Sequence, residues 1–173
     1  MPKTFDHQLN CKATIDGPPN SFAHEVHGQI ITLLIGTYHV YNYSPTSRGT
    51  KGYFAYVIGH ERLVFLKLGW RPSSSDIDPE HKTYERLYAE RVENIPQIIA
   101  GGDVYHYGDE GPGRRLCTRT QEFLSGSKPL KRYAYRLIIE TLGLPLTEYR
   151  DTWEMFRIVG HAVIGAQCLV HRN

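Results

Sequence analysis

Arg62-Leu63-Val64-Phe65-Leu66-Lys67-Leu68-Gly69-Trp70-Arg71 is the stretch on which the fold turns. Arg62 to Leu68 is apolar and β-prone, so it reads as a strand, with Leu63, Phe65 and Lys67 on one face. Lys67 therefore points from a strand toward a cleft, or else it blunts a sheet edge. Immediately upstream, Gly59-His60-Glu61 has the chemistry of a tight turn, and Tyr53 to Ile58 is a second strand. The two strands predict an antiparallel hairpin.

Working outward, Ile30 to Tyr43 is rich in Ile, Thr, Tyr and Val and predicts a further strand. Ser44 to Gly52 is a loop. Residues 1 to about 23, punctuated by Gly17-Pro18-Pro19, read as a loose arm. Downstream, Pro72 to Asp76 is a loop. Asp78 is placed to cap a helix, with Pro79 in its first position, and the helix runs to about Arg91. Ile95 to Ile99 predicts a strand, and Gly101 to Gly113 an exposed loop. Tyr133 to Glu140 predicts a strong strand, stopped by Gly143-Leu144-Pro145. Thr152 to Val170 predicts a helix. The class is α+β: a twisted antiparallel sheet, one packed helix, and one or two further helices. Residues 1–23 are the arm, 24–143 the sheet lobe and 144–173 the start of a second region.

Composition narrows the function. With 40% hydrophobic and 12% aromatic residues the chain carries enough apolar side chains for a packed core. A net charge of +2 is too small to imply a nucleic-acid or anionic-membrane partner. Cys11, Cys117 and Cys168 are odd in number and widely spaced, which predicts free thiols. The run from Ile30 to Ile35 is too short to cross a bilayer, and Met1 to His7 has no apolar stretch. A cytoplasmic or nuclear location is expected. His24 and His27, and Asp103 with His106, Asp109 and Glu110, lack the spacing of a metal site.

The order of strand hairpin, lysine strand, helix with Glu, two strands, Gly-Pro break and long helix resembles a protein-kinase small lobe followed by the first large-lobe helices. Specific strings resemble the fungal-type protein kinases: Phe65 to Arg71, Tyr84 to Leu87, Asn94-Ile95-Pro96, Gly101 to Val104, Arg132 to Glu140, Gly143-Leu144-Pro145-Leu146 and Leu169 to Arg172. The resemblance covers about residues 47 to 173. It implies ATP-dependent phosphoryl transfer to Ser or Thr as the family activity, with Lys67 holding nucleotide phosphates and a helix carboxylate holding Lys67. Glu80, Tyr84 and Leu87 share a helical stripe and Glu85 lies off it, so Glu80 is the expected partner; as a first-turn acid Glu80 also suits the helix dipole. Gly49, Thr50 and Gly52 would form the phosphate loop, although the segment also reads as a plain turn. Glu140 and Leu142 would be the hinge.

The chain departs from that pattern in three places. Gly52 stands where the family carries a branched apolar residue. Phe65 stands where it carries a small or branched one, and a phenyl ring there is expected to fill the space that adenine needs. His171-Arg172 would support the catalytic loop, but Asn173 stands for its Asp, and an amide accepts no proton near neutral pH. Both magnesium ligands of the family would follow that position, so Mg is expected only in a longer family member. ATP binding is expected to be weak or lost, and the chain to be a truncated, pseudokinase-like lobe. The alternative is a non-catalytic protein-interaction module. The helix 152–170 carries two apolar stripes, which predicts self-association or a protein partner.

Overall fold

The computed structural model describes residues 21–26, 29–41, 48–106, 113–119, 122–123 and 130–170. Six strands form one antiparallel sheet: β1 (Ser21–Val26), β2 (Gln29–Tyr41), β3 (Lys51–Val57), β4 (Arg62–Pro72), β5 (Ile98–Asp103) and β8 (Arg132–Ile139). Their spatial order is β1-β2-β3-β4-β8-β5. A two-stranded ribbon, β6 (Tyr105–His106) with β7 (Arg114–Arg115), follows β5. Helix α1 (Glu80–Ala89) connects β4 to β5, and α2 (Thr152–Val170) closes the described chain.

Strand alternation divides the sheet's two faces. Leu33, Ala55, Val57, Val64, Leu66, Ala100 and Ile138 form the main core on one face. The sheet curls over this core, so that Ile31 of β2 and Ile99 of β5 line the same cavity of ≈130 Å³. The opposite face is covered by α1 through a second cluster, in which Tyr84 and Tyr88 pack on Ile98, Tyr135, Leu137 and Ile139. α2 is different. Trp153 is 75% exposed and Phe156 64%. Its point of approach to the lobe is Gly165, where an added Cβ would lie 3.1 Å from the Glu93 carbonyl. Among the described residues no helix is long and apolar enough to cross a membrane.

Several boundaries differ from the sequence reading. Ser21 to Ala23 belong to β1, not to the arm. The cap residue of α1 is Pro79, with extended ψ and no side-chain cap bond. Asp78 therefore sits one position too early to reach the first amides, and it pairs with Arg86 at 3.3 Å. The helix stops before Arg91, whose φ of 53° is left-handed. The Val92 amide returns to the Leu87 carbonyl and the Arg91 amide to that of Tyr88, a Schellman closure built without glycine. The largest correction concerns Gly101, Gly102 and Asp103, expected in an exposed loop. All three are buried in β5. Gly101 lies so close under α1 that a Cβ would fall 2.7 Å from both His81 Cβ and Leu137 Cδ1. Asp103 is neutralised from across the sheet, as described below.

Candidate functional site

The site is built on β4, which lies inside the sheet between β3 and β8. Lys67 pairs in register with Gly52 on one side and Leu137 on the other. Its Nζ donates to both Glu80 carboxylate oxygens at 2.8 Å. The two side chains are 34% and 33% exposed, so solvent reaches the pair. Glu85, the rejected candidate, instead takes Lys82 at 2.9 Å. The helical stripe and the strand alternation thus meet at one contact.

The N-terminal turn of α1 is held in place from β8. The Tyr135 hydroxyl accepts the His81 amide at 2.9 Å and lies 3.0 Å from His81 Nδ1. Burial, and to a lesser degree the nearby Glu80 and Asp103 carboxylates, push the Tyr135 phenol above its ordinary value. Burial likewise raises Tyr84, with Glu80 adding to the effect. Both phenols stay neutral, and that of Tyr135 serves as a fixed hydrogen-bonding group. At the far end of the helix, the Tyr88 hydroxyl donates to the Pro96 carbonyl at 2.7 Å and accepts the Ile98 amide at 2.9 Å.

Four residues along β4 from Lys67, Arg71 makes a second carboxylate contact. Its Nε and NH2 donate to the two Asp103 oxygens, both at 2.6 Å. These side chains are 16% and 8% exposed. Arg115 approaches the same carboxylate at 3.6 Å. The Tyr133 ring carries both cations, Arg71 at 5.4 Å and Arg115 at 5.2 Å from its centroid. Sequence reasoning missed Arg71, Arg115 and Asp103 as partners. Extending the Leu63-Phe65-Lys67 alternation by four residues would have put Arg71 on the same face; nothing local marked Asp103.

The remaining site residues fall on either side of Lys67. Gly49 has a φ of +53° beside the Trp70 ring, and the Trp70 amide donates to the Arg48 carbonyl at 2.8 Å, which draws the Arg48–Thr50 segment onto the end of β4. Between Lys67 and Arg71 opens a cleft of ≈340 Å³, lined by Arg48, Thr50, Gly69, Glu80, Thr83 and Tyr135 among others. On the other side stands Phe65. An added Cβ on Gly52 would lie 2.3 Å from Phe65 Cζ, so the tip of the ring sits over Gly52. Gly52 and Phe65 therefore form one packing unit, with the bulk on β4 and none on β3. Phe54 meets Phe65 edge-on at 6.0 Å.

Glu140 uses its amide on the Gln97 carbonyl at 2.8 Å and its carboxylate on Arg62 at 2.9 Å. Leu142 is 39% exposed. His171, Arg172 and Asn173 lie outside the described residues, as do Asp109 and Glu110. Among the described residues no three His, Cys, Asp or Glu side chains group as metal ligands. No protein-family model, curated protein or solved structure matches this chain. The geometry provides a one-third exposed, doubly hydrogen-bonded cation beside a cleft. Such an arrangement can position and partly neutralise an anion.

Proposed function

We propose that the chain is the lysine-bearing lobe of a protein-kinase-like domain of the fungal type, and that its ancestral activity is phosphoryl transfer from ATP to protein Ser or Thr. The observation that carries this reading is the Lys67–Glu80 contact: a lysine on an internal strand, held at 2.8 Å through both carboxylate oxygens by the helix inserted before the next strand. In phosphoryl transfer such a pair holds the phosphates in line, and positioning with electrostatics supplies most of the rate. His171 and Arg172 would support the catalytic loop, and Asn173 would stand in its proton-accepting position. Glu140 and Leu142 would flank the base.

The chain is expected not to turn over, because the Asn173 amide takes no proton from an attacking hydroxyl. Radiolabelled ATP with a generic protein substrate is the assay. Turnover that is lost in Lys67→Ala would overturn the inactive reading.

A second reading, a docking lobe in a cytoplasmic or nuclear assembly, is favoured by α2. Trp153, Phe156, Val159 and Val163 are all exposed on a helix of high apolar content. Light scattering on the purified chain separates the cases: a stable monomer at high concentration removes the support that α2 lends to docking.

A further inference from the structure

We infer that the ligand of this site lies in the notch over Gly69, on the Arg71 side of Lys67, and that it is a small multiply charged phosphate anion bound without recognition of a base. The inference rests on reading Lys67 and Glu80 as an anion-facing pair.

The notch exists because one side chain is missing. Lys67, Gly69 and Arg71 alternate onto the same face of β4, and two residues of strand advance about 7 Å. Two cations thus stand about 13 Å apart on either side of a position with no Cβ. The resulting ≈340 Å³ is at the small end of ligand sites. Arg48 is held above it through the bond from the Trp70 amide, and its guanidinium has no ion-pair partner among the described residues. Thr50 and Thr83 add hydroxyls to the wall, and α1 points its N-terminal end at the cleft.

The charge balance is positive. Lys67, Arg48 and Arg71, with Arg115 behind them, face Glu80, Asp103 and Asp78, and Asp78 is itself held by Arg86. The other side of Lys67 offers the opposite chemistry. Phe65, Phe54 and Ile139 make it apolar, and the Phe65 ring tip occupies the space over Gly52. A base anchored near Glu140 would have to lie across that ring, while the open volume runs from Lys67 away from it.

The shared chemistry is a polyphosphate group, whether free or as the tail of a nucleotide. Calorimetry on the full chain at low salt, with tripolyphosphate, ATP and adenosine as separate probes, distinguishes the sources. Tripolyphosphate and ATP are expected to bind within about threefold of each other, and adenosine not at all. Gly69→Val is the decisive variant. A Cβ there meets Thr50 Oγ1 at 3.5 Å and the Arg48 carbonyl at 3.7 Å, ordinary contacts, so a side chain can start into the notch at that atom, and the melting temperature of the variant is measured beside its binding to show that the fold holds. Binding should fall by about tenfold or more there, and by about tenfold in Arg48→Ala, the loss expected for one charge-assisted contact. If ATP binds through Lys67 far more tightly than tripolyphosphate and Gly69→Val leaves it unchanged, the notch is wrong and the kinase-like reading stands. If neither phosphate compound binds, the notch falls, whereas the kinase-like lineage, for which ATP binding is already expected to be weak or lost, stands.

Discussion

Lys67 and Arg71 stand on the same face of one strand and each meets a carboxylate, yet the two contacts are built for different purposes. Arg71 and Asp103 are almost sealed, doubly bonded at 2.6 Å and backed by Arg115 and Tyr133. Lys67 and Glu80 are one-third exposed and open onto a cleft. A planar guanidinium in a closed site fixes geometry, whereas a lysine at a wet edge keeps a charge that a ligand can share. The contrast teaches that the buried pair ties β4 to the β5 end of the sheet, so that the exposed pair can be presented at constant spacing.

The sharpest way to break this contrast is Asp103→Ala. It strands the buried Arg71 charge and should cost about 3–5 kcal/mol, read as a large drop in denaturation midpoint. A loss no greater than that of Lys67→Ala would erase the distinction. Next in size is Gly52→Val, which drives a side chain into the Phe65 ring and should cost about 1–3 kcal/mol. Adding Phe65→Ala should recover much of that loss. A double-mutant cycle with no coupling would show that the two positions do not form one unit. Lys67→Ala should cost less than about 1 kcal/mol, since its partner is solvated, while removing any binding of phosphate compounds. The smallest effect marks the far end of the same series. Just before α2, Arg150 bonds Glu154 of its first turn at the surface, and the side-chain bond from Arg150 is the leading cause that holds the Glu154 carboxyl below its ordinary value. Its contribution to helix stability is present above the unfolded carboxyl's pKa and fades as pH falls through the lowered one. NMR titration should find Glu154 below the usual glutamate range, and Arg150→Ala should return it only part of the way, because the residue 150 amide still donates to the carboxylate at 2.7 Å.

How much of this was legible depends on whether the cause was local. Periodicity in β4 and α1 was enough to bring Lys67 to Glu80 and to set Glu85 aside. Gly101-Gly102-Asp103 misled, because a Gly-Gly-Asp run carries turn chemistry and its reasons for being a strand, the His81 side chain above and Arg71 across the sheet, are remote in sequence. Asp78 misled for a smaller reason, since Pro79 took the cap conformation itself. Gly52 and Phe65 were each visible as oddities, but their complementarity became apparent only when β3 lay beside β4. The notch at Gly69 was hidden in the same way, because a glycine inside a strand leaves no periodic signal.

The position of β8 has a consequence for how the molecule is assembled. This strand lies between β4 and β5, yet it follows both of them in the chain by a wide margin. The two strands it joins cannot bond to each other through it until residues 132–139 have been synthesised. Until then β4 presents one free edge, with Val64 and Leu66 beside it, and the floor beneath α1 lacks Tyr135 and Leu137. Closure must therefore wait for long-range pairing, which is slow and leaves strand edges open to other chains. The lobe is thus one whose middle is laid last, and a nascent chain is most exposed to wrong partners just before its core strand arrives.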